Sequence, residues 1–368
     1  MREAGDRASF AARLLHWFDR HGRHDLPWQH PRTPYRVWLS EVMLQQTQVA
    51  TVVPYFQRFV AALPTLDALA HAPSDQVLAL WSGLGYYSRA RNLQRAARIC
   101  IERHGGVVPE TLDELHALPG IGRSTAAAIL AQAHGRRHAI LDGNVKRVLA
   151  RHAGVAGDVS DAKVQRSLWA LAEARLPRAR MADYTQALMD LGATLCTRRA
   201  ARCGSCPLAS DCAALREGRV DELPGRKRAR VVPERRVTLL LLRDHAGRVL
   251  IERRPPAGIW GGLWSVPEFA PGEDVEAAAA SRYGVTTDAL LPTSGFVHRF
   301  THFRLDAAAV CARVRNGLPA VADHDGLRWT NARELDTVGL PTPVRALLNR
   351  ILEDSADAPH RVLPEVAA

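Results

Sequence analysis

The first 213 residues place apolar positions at the spacing of amphipathic helices. Helices are predicted over residues 8–20, 35–53, 123–132 and 164–173. Thr33-Pro34 is a start signal for the second of these, and Pro54 is its expected end, because proline donates no backbone hydrogen bond. Thr111-Leu112-Asp113-Glu114 is a capping box that begins a further helix. This half of the chain is predicted to be all-α.

The pattern changes near residue 236, before which no strand-like alternation is convincing. Strands are predicted at residues 237–242, 249–251, 264–269 and 303–310, and helices at 275–283 and 343–352. Asp244-His245-Ala246-Gly247 is a turn that joins the first two strands into a hairpin. The second half is therefore predicted to be α+β, and the chain to be multidomain.

Length and composition agree with two domains. The 368 residues are 47% hydrophobic and 24% charged, as in ordinary globular proteins. The predicted domains are 1–213 and 234–354, joined by a polar linker at 214–233 and followed by a tail at 355–368. No apolar run is long enough to span a membrane, and the N-terminus has no apolar segment of a secretory signal, so a cytoplasmic protein is expected.

The positive charge is concentrated in the first half. Residues 1–220 contain 29 Lys and Arg against 19 Asp and Glu, whereas residues 221–368 contain 20 against 19. This distribution favours contact between the first half and a polyanion such as nucleic acid. A generally basic proteome is the alternative explanation.

Four of the six cysteines lie close together in the sequence, with intervals of six, two and five residues. They are Cys196, Cys203, Cys206 and Cys212. Such a cluster in a cytosolic chain predicts a metal site rather than disulfides, and the thiolates could hold either a [4Fe–4S] cluster or a structural zinc ion. Cys100 and Cys311 stand apart and are expected to be buried thiols.

Two glycines precede the helix predicted at 123–132, in the sequence Leu118-Pro119-Gly120-Ile121-Gly122. Glycines allow close approach of the backbone, and a helix N-terminus presents free N–H groups to an anion. With one helix before it and one after it, the segment 111–132 resembles the helix–hairpin–helix of base-excision glycosylases, and it is expected to bind phosphate without reading base sequence. A simple turn is the alternative. Ser124 follows in the first turn of the helix.

Two carboxylates are candidates for catalysis. Glu41 has Val37, Trp38 and Leu44 as helical neighbours, and such surroundings should raise the pKa of a carboxyl group, as a general acid requires. Asp142 precedes Gly143, and an Asp-Gly pair is by default a turn or a helix cap.

Together these motifs resemble the MutY-type adenine DNA glycosylases of the endonuclease III-like superfamily, over nearly the whole chain. The resemblance is carried by residues 37–49, the glycine hairpin, Asp142 and the cysteine loop at 196–212, including Pro207. It implies a helical glycosylase domain whose four cysteines bind a [4Fe–4S] cluster. It also implies excision of adenine opposite 8-oxoguanine or guanine in double-stranded DNA.

The resemblance assigns a role to each catalytic candidate. Glu41 would protonate adenine N7 and activate water, Asp142 would stabilise or transiently bond the sugar carbon, and Asn144 would make a polar contact. Lyase members of the superfamily have a lysine at the position of Ser124. The absence of an amine there implies a monofunctional glycosylase.

Further residues match positions that contact DNA in the family. Besides Gly120, Gly122 and Ser124, they are Trp28, Gln46, Leu84, Tyr86 and Gln186. Tyr86 would wedge beside the oxidised guanine, and Gln46 would fill the gap that the extruded adenine leaves. Trp28 and Gln186 match the adenine pocket, although each could equally serve packing.

The second domain resembles a Nudix module through residues 253–256 and 258–264. Its Arg-Glu-x-x-Glu-Glu metal box is missing at residues 273–278, so no pyrophosphatase activity is expected. Phe300, Thr301 and His302 resemble the segment that reads oxidised guanine, where serine is usual at the position of Thr301. Threonine keeps the hydroxyl and adds a methyl group. An ordinary strand turn is the alternative.

The resemblance also implies a bacterial, nucleoid-associated monomer that binds DNA and no membrane. A pyrimidine glycosylase/lyase of the endonuclease III type is a rival, against which Ser124 and the second domain argue. A non-catalytic sensor of oxidised DNA is another. The presence of both Glu41 and Asp142 argues against the sensor.

Overall fold

The computed structural model describes residues 9–225, 232–316 and 326–353. Within these residues, the chain forms two compact units. Unit 1 comprises residues 9–71 and 92–225, and unit 2 comprises residues 72–91, 232–316 and 326–353. The predicted tail at 355–368 and part of the predicted linker, at 226–231, lie outside the described residues.

The part of the chain before residue 217 is helical, as predicted. Its helices are α1 (Phe10–His21), α2 (Pro34–Leu44), α3 (Val49–Ala62), α4 (Leu66–His71), α5 (Ser74–Trp81), α6 (Ser88–Arg103), α7 (Leu112–Ala117), α8 (Arg123–His134), α9 (Gly143–Ala153), α10 (Ala162–Ala174), α11 (Met181–Thr194) and α12 (Ala213–Arg216). Several begin at the predicted caps: the Thr33 hydroxyl accepts from the Arg36 N–H, and the Thr111 hydroxyl accepts from the Glu114 N–H. None of the helices in the described residues is long and apolar enough to cross a membrane.

The single helix predicted over residues 35–53 was wrong. α2 ends at Leu44, and α3 begins at Val49. Between them Gln46 has a φ of +61°, a left-handed conformation that interrupts the helical hydrogen-bond series. Pro54 lies inside α3 rather than at a helix end. No glycine or proline stands at this break. It depends on tertiary contacts of the neighbouring Gln45.

One hydrophobic core cluster of unit 1 is built mainly from α1, α8, α9, α10 and α11. α8 contributes a run of small buried residues, which includes Ala127, Ala128 and Ala131. Small side chains allow neighbouring helices to pack closely against the buried middle of α8. This helix therefore positions both the hairpin before it and the loop after it.

Unit 2 contains a mixed sheet. Its strands are β1 (Glu234–Arg243), β2 (Val249–Arg253), β3 (Trp264–Ser265), β4 (Glu268–Phe269), β5 (Thr286–Thr287), β6 (Leu291–Arg299), β7 (Arg304–Asn316) and β8 (Leu327–Thr330). β1 and β2 form the predicted hairpin, and β1 pairs in parallel with β7. The single strand predicted at 264–269 is instead two short strands, because β3 pairs with β2 whereas β4 pairs with β1.

Helices cover both faces of this sheet. They are α13 (Val275–Tyr283), which confirms the prediction, and α14 (Thr342–Glu353). Leu239 and Leu241 of β1 pack in the core that contains α14 residues, whereas Leu240 and Leu242 pack in the core that contains α13 residues. Burial on both faces explains why this strand is a continuous apolar run rather than an alternating one.

Residues 72–91, predicted as part of the first domain, pack within unit 2. The Arg253 guanidinium donates to both carboxylate oxygens of Asp75, at 2.9 and 2.7 Å. The hydroxyls of Ser82 and Tyr87 donate to the Leu340 carbonyl. These contacts join positions far apart in sequence, so the local pattern of residues 72–91 does not reveal them.

Candidate active site

Glu41 lies in α2 of unit 1, and its carboxylate accepts a hydrogen bond from the Gln132 side-chain amide at 2.6 Å. Burial raises the pKa of Glu41 to about 8, and the nearby charge of Asp142 contributes to this rise, while the bond from Gln132 opposes both. This is the direction expected from the sequence. Near neutral pH the side chain is therefore mostly protonated and can donate a proton.

Gln132 is a site residue that the sequence analysis missed. It is buried in α8, a helix otherwise dominated by small apolar side chains. A lone amide in the buried part of an alanine-rich helix was the available signal, since buried polar groups need a partner. The partner is Glu41, 91 positions earlier in the chain.

Asp142 is the N-cap of α9, where its carboxylate accepts from the Val145 N–H at 2.7 Å. Burial raises the pKa of Asp142, and the backbone N–H groups of Val145 and Asn144 work against this rise. The default interpretation of Asp-Gly as a helix cap is confirmed. The same cap position holds a carboxylate close enough to Glu41 to affect its pKa.

Asn144, in the first turn of α9, is tied to the neighbouring chain by Arg147. The Arg147 guanidinium donates to the Asn144 side-chain carbonyl and to the Gly192 carbonyl, both at 2.7 Å. A Cβ at Gly192 would come within 2.6 Å of the Asn144 Cβ, so only glycine allows this approach of α11 to α9. Arg147 also donates to the Cys196 carbonyl at 2.7 Å, which connects this turn with the cysteine loop.

The glycine hairpin has the conformation that its residues suggest. Gly120 has a φ of +81°, and a Cβ there would come within 2.9 Å of the Asn92 Cβ. Gly122 caps α8 without a side chain, and a Cβ there would meet open space. The N–H groups at the start of α8 are thus accessible to an anion.

Ser124 supports the loop that carries Asp142. Its hydroxyl accepts a hydrogen bond from the Leu141 N–H at 2.9 Å. Leu141 directly precedes Asp142, so the bond fixes the backbone where the carboxylate begins.

The turn between α2 and α3 is also anchored in unit 1. The Gln45 amide is 3.4 Å from the Gly120 carbonyl and 3.4 Å from the Thr125 hydroxyl. The neighbouring Gln46 side chain is exposed. The structure thus places the predicted gap-filling residue on the surface, next to an anchored residue.

Trp28 and Gln186 are buried. The Trp28 ring meets the Phe56 ring edge to face, with centroids 5.4 Å apart. The Gln186 amide donates to the Asp190 carboxylate at 2.7 Å, and Asp190 also accepts from Arg23. Both residues therefore have packing roles, whatever they contribute to a pocket.

The four clustered cysteines line one small cavity of about 30 Å³. Burial raises the pKa of Cys206 to about 11, and the other three sulfurs contribute in the same direction. The buried Arg151 guanidinium lies 3.4 Å from the Cys196 sulfur and donates to the Thr197 carbonyl at 2.7 Å. Soft sulfur donors around one cavity fit an iron–sulfur or zinc group. Among the described residues, the four thiols are not drawn together as ligands of a single metal ion, so their shared cavity and their chemistry are what support a bound group.

In unit 2, the loop that contains Leu84 and Tyr86 has an unusual backbone. Gly83, Gly85 and Tyr86 all have positive φ, and the Tyr86 side chain is 46% exposed whereas Leu84 is buried. The Arg89 guanidinium donates to the Leu84 and Gly85 carbonyls and lies over the Tyr86 ring. An exposed aromatic side chain is thus presented from a well-supported loop.

Phe300, Thr301 and His302 form the turn between β6 and β7, closed by the bond from the Phe300 N–H to the Phe303 carbonyl at 2.9 Å. The turn lines a cavity of about 770 Å³ in unit 2, together with Tyr86. The Thr301 and His302 side chains are exposed. The structure therefore brings Tyr86 and Phe300–His302, predicted from separate motifs, to one cavity.

Comparisons with known proteins agree with this arrangement. Residues 39–174 match the HhH-GPD superfamily of base excision DNA repair proteins, and residues 238–350 match the NUDIX domain. The adenine DNA glycosylase of Buchnera aphidicola subsp. Acyrthosiphon pisum (strain APS) is 33% identical over 92% of this chain and 96% of that protein. The chain belongs to the adenine DNA glycosylase family.

A mammalian relative and a solved structure extend the comparison. The adenine DNA glycosylase of Rattus norvegicus is 34% identical, over 96% of this chain and 79% of that protein. The structure of a thermostable thymine-DNA glycosylase matches with a TM-score of 0.52 and 28% identity, over 56% of this chain and 95% of that chain. The predicted family and fold class are confirmed, and the protein is a base-excision repair glycosylase.

Proposed function

We propose that this adenine DNA glycosylase removes adenine mispaired with 8-oxoguanine or guanine from double-stranded DNA, by hydrolysis and without strand cleavage. One observation carries the proposal. The Glu41 carboxylate accepts from the Gln132 amide at 2.6 Å, and burial together with the charge of Asp142 raises the pKa of Glu41 to about 8. When two neighbouring carboxyl groups cannot both ionise at low cost, one stays protonated and can act as an acid, while the other is the anion.

Glu41 is the proposed general acid. The target adenine must first leave the duplex stack, because a base that is still paired and stacked cannot enter the active site. Glu41 then protonates adenine N7, which makes the base a better leaving group. The resulting carboxylate accepts a proton from the attacking water, so Glu41 regains its initial state at the end of the reaction.

Asp142 is the proposed stabiliser of the positive charge that develops on the sugar. Its carboxylate is held by the Val145 N–H at the positive end of α9, which favours the ionised form. It stabilises or transiently bonds the sugar carbon while the glycosidic bond breaks. Asn144, oriented by Arg147, is the proposed polar contact beside it.

Ser124 supports a reaction without a lyase step. A lyase of this superfamily attacks the sugar with an amine, which forms a Schiff base. The Ser124 side chain has no amine, and its hydroxyl already accepts from the Leu141 N–H. Water is therefore the proposed nucleophile.

The contacts to DNA are assigned in the same way. Gly120 and Gly122, in the hairpin directly before α8, would bind a phosphate, and Gln46 would fill the gap left by adenine. Tyr86 and the Phe300–His302 turn would read the oxidised guanine, which is supported by their position on one cavity. We further propose that the protein acts as a monomer at the bacterial nucleoid, in the cytoplasm.

The cysteines Cys196, Cys203, Cys206 and Cys212 are proposed to hold a [4Fe–4S] cluster. The four cysteines would crosslink their loop through a bound cluster. Arg147 would transmit this support to the first turn of α9, because it donates to the Cys196 carbonyl. Zinc is the alternative ligand. Iron and zinc analysis of the purified protein, with its visible absorption spectrum, distinguishes the two, and zinc without iron would overturn this assignment.

A single-turnover assay tests the whole proposal. Wild-type protein is mixed in excess with a duplex that contains adenine opposite 8-oxoguanine, or adenine opposite guanine. We expect base release from both duplexes, faster with 8-oxoguanine, and strand breaks only after alkali treatment. No base release would overturn the glycosylase mechanism, and breaks without alkali would favour a lyase. Glu41→Gln should abolish base release while DNA binding persists.

A further inference from the structure

The cavity of unit 2 has a third wall that the recognition motifs do not include. Residues 258–261 line it alongside Tyr86 and the Phe300–His302 turn. This loop lies between β2 and β3, and Trp260 provides its largest side chain. The ring of Trp260 is only partly exposed.

Trp260 packs against the strand and turn that carry the predicted lesion contacts. Its ring centroid is 5.4 Å from that of Phe300, 5.6 Å from that of His298 and 6.3 Å from that of Phe296. Phe300 in turn stacks on Phe303, with centroids 4.4 Å apart. The exposed Thr301 and His302 thus stand on a layer of aromatic rings that begins at Trp260.

Several contacts hold the backbone of the loop. Trp260 has a φ of +53°, a strained conformation for a non-glycine residue that persists only where the surroundings impose it. Its carbonyl accepts from the Leu263 N–H at 3.0 Å, and the Arg254 guanidinium donates to the Ile259 carbonyl at 2.9 Å. A Cβ at Gly261 would clash with the Pro256 carbonyl oxygen, so the loop folds tightly on itself.

Arg91 connects the loop to the segment of Tyr86. Its guanidinium donates to the Gly261 carbonyl, directly after Trp260. Arg91 is in the first turn of α6, five residues after Tyr86. A continuous set of contacts therefore runs from the Tyr86 segment through Arg91 and Trp260 to Phe300.

We propose that Trp260 and Arg91 are positioning residues for lesion recognition. They fix the positions of the Phe300–His302 turn and the Tyr86 segment relative to each other around the cavity. The preference for 8-oxoguanine over guanine then depends on both side chains. This inference rests on the proposed reading of 8-oxoguanine by unit 2. Removal of either residue frees one wall of the cavity to move relative to the other.

The test compares single-turnover rates on the 8-oxoguanine and guanine duplexes. Trp260→Leu should lower the ratio of the two rates by up to about tenfold, for the loss of an aromatic contact of this kind. Arg91→Met should lower the ratio by about tenfold, for the loss of a charge-assisted hydrogen bond to the Gly261 carbonyl. Trp260→Phe, which keeps a ring against Phe300, should retain most of the ratio. The double variant should lose little more than either single variant, because both act on one loop.

A control separates positioning from lost stability. Trp329→Leu removes a buried indole from the core on the α13 face of the sheet. This core does not include Trp260 or Phe300, so the ratio of the rates on the two duplexes should stay at the wild-type value. Thermal unfolding of every variant shows how much stability each has lost. An equal fall of the ratio in Trp329→Leu would overturn the inference.

The outcomes also separate this inference from the function on which it rests. A wild-type protein without preference for 8-oxoguanine overturns both. If Thr301→Ala lowers the wild-type preference but Trp260→Leu and Arg91→Met leave it intact, the inference alone is wrong. A fall in only one of these two variants likewise contradicts the proposed connection.

Discussion

The hydrogen bond between Gln132 and Glu41 leads to a prediction about the pH dependence of excision. The amide donates to the carboxylate at 2.6 Å, and this bond lowers the pKa of Glu41, whereas burial and the charge of Asp142 raise it. Replacement of Gln132 by methionine removes the donor but keeps a side chain of similar length. The pKa of Glu41 should therefore rise above its value of about 8.

The size of the effect follows from the strength of the bond. A hydrogen bond to a charged group contributes about 1.5–3 kcal/mol, and one pKa unit corresponds to about 1.4 kcal/mol. The amide also bonds the neutral carboxyl group, so only part of this energy distinguishes the two protonation states. We therefore expect the alkaline limb of the pH–rate profile to move upward by about one pH unit.

The assay is single-turnover excision from pH 5 to 10. The wild-type rate should fall above about pH 8, where Glu41 loses its proton, and the Gln132→Met rate should fall at higher pH. Gln94→Met is the matched control, because Gln94 is a second buried glutamine of unit 1 and its amide lies 3.4 Å from the Leu69 carbonyl. A limb that is unmoved in Gln132→Met, or that moves downward, would refute the reasoning.

Three further predictions concern unit 1. Because the pKa of Glu41 rises from 4.5 to about 8 on folding, stability should fall as pH rises through this window. Glu41→Gln should relieve about 2–4 kcal/mol of this cost at pH 8 and little at pH 4.5, which thermal unfolding at both pH values measures. Ser124→Ala leaves the Leu141 N–H without its acceptor, so it should lower the free energy of unfolding by about 1–3 kcal/mol and slow excision. Urea unfolding and single-turnover rates measure the two effects. A variant with full stability and full activity would contradict the proposed support of Asp142. Gly120→Ala, strained at φ +81° and against Asn92, should weaken binding to duplexes of any sequence and lower its salt dependence, as titrations at several salt concentrations would show.

Part of the candidate site could be predicted because its signals are local. The caps at Thr33, Thr111 and Asp142 each bond an N–H three residues later, so short sequence patterns identify them. The cysteine spacing likewise predicts a shared site, since short intervals keep four thiols on one loop. The raised pKa of Glu41 agrees in direction with the expectation from its apolar helical neighbours, whereas the contributions of Asp142 and Gln132 come from distant parts of the chain.

Other features depend on contacts between distant parts of the chain. The partner of Glu41 lies 91 positions away in α8, and the ion pair between Asp75 and Arg253 spans 178 positions. The break at Gln46 also contradicts the single helix predicted over residues 35–53. A local apolar pattern contains no information on the contact between the neighbouring Gln45 and Gly120.

The sequence alone thus determined the helical and α+β halves, the hairpin, the cysteine loop and the two carboxylates, because periodicity, caps and spacing act within a few residues. The tertiary structure decided which groups face one another. It placed the charge of Asp142 near Glu41, packed residues 72–91 with unit 2 and brought Trp260 against Phe300. A pKa, a cavity wall or a shared core depends on distances in space, which packing sets and which local sequence does not encode.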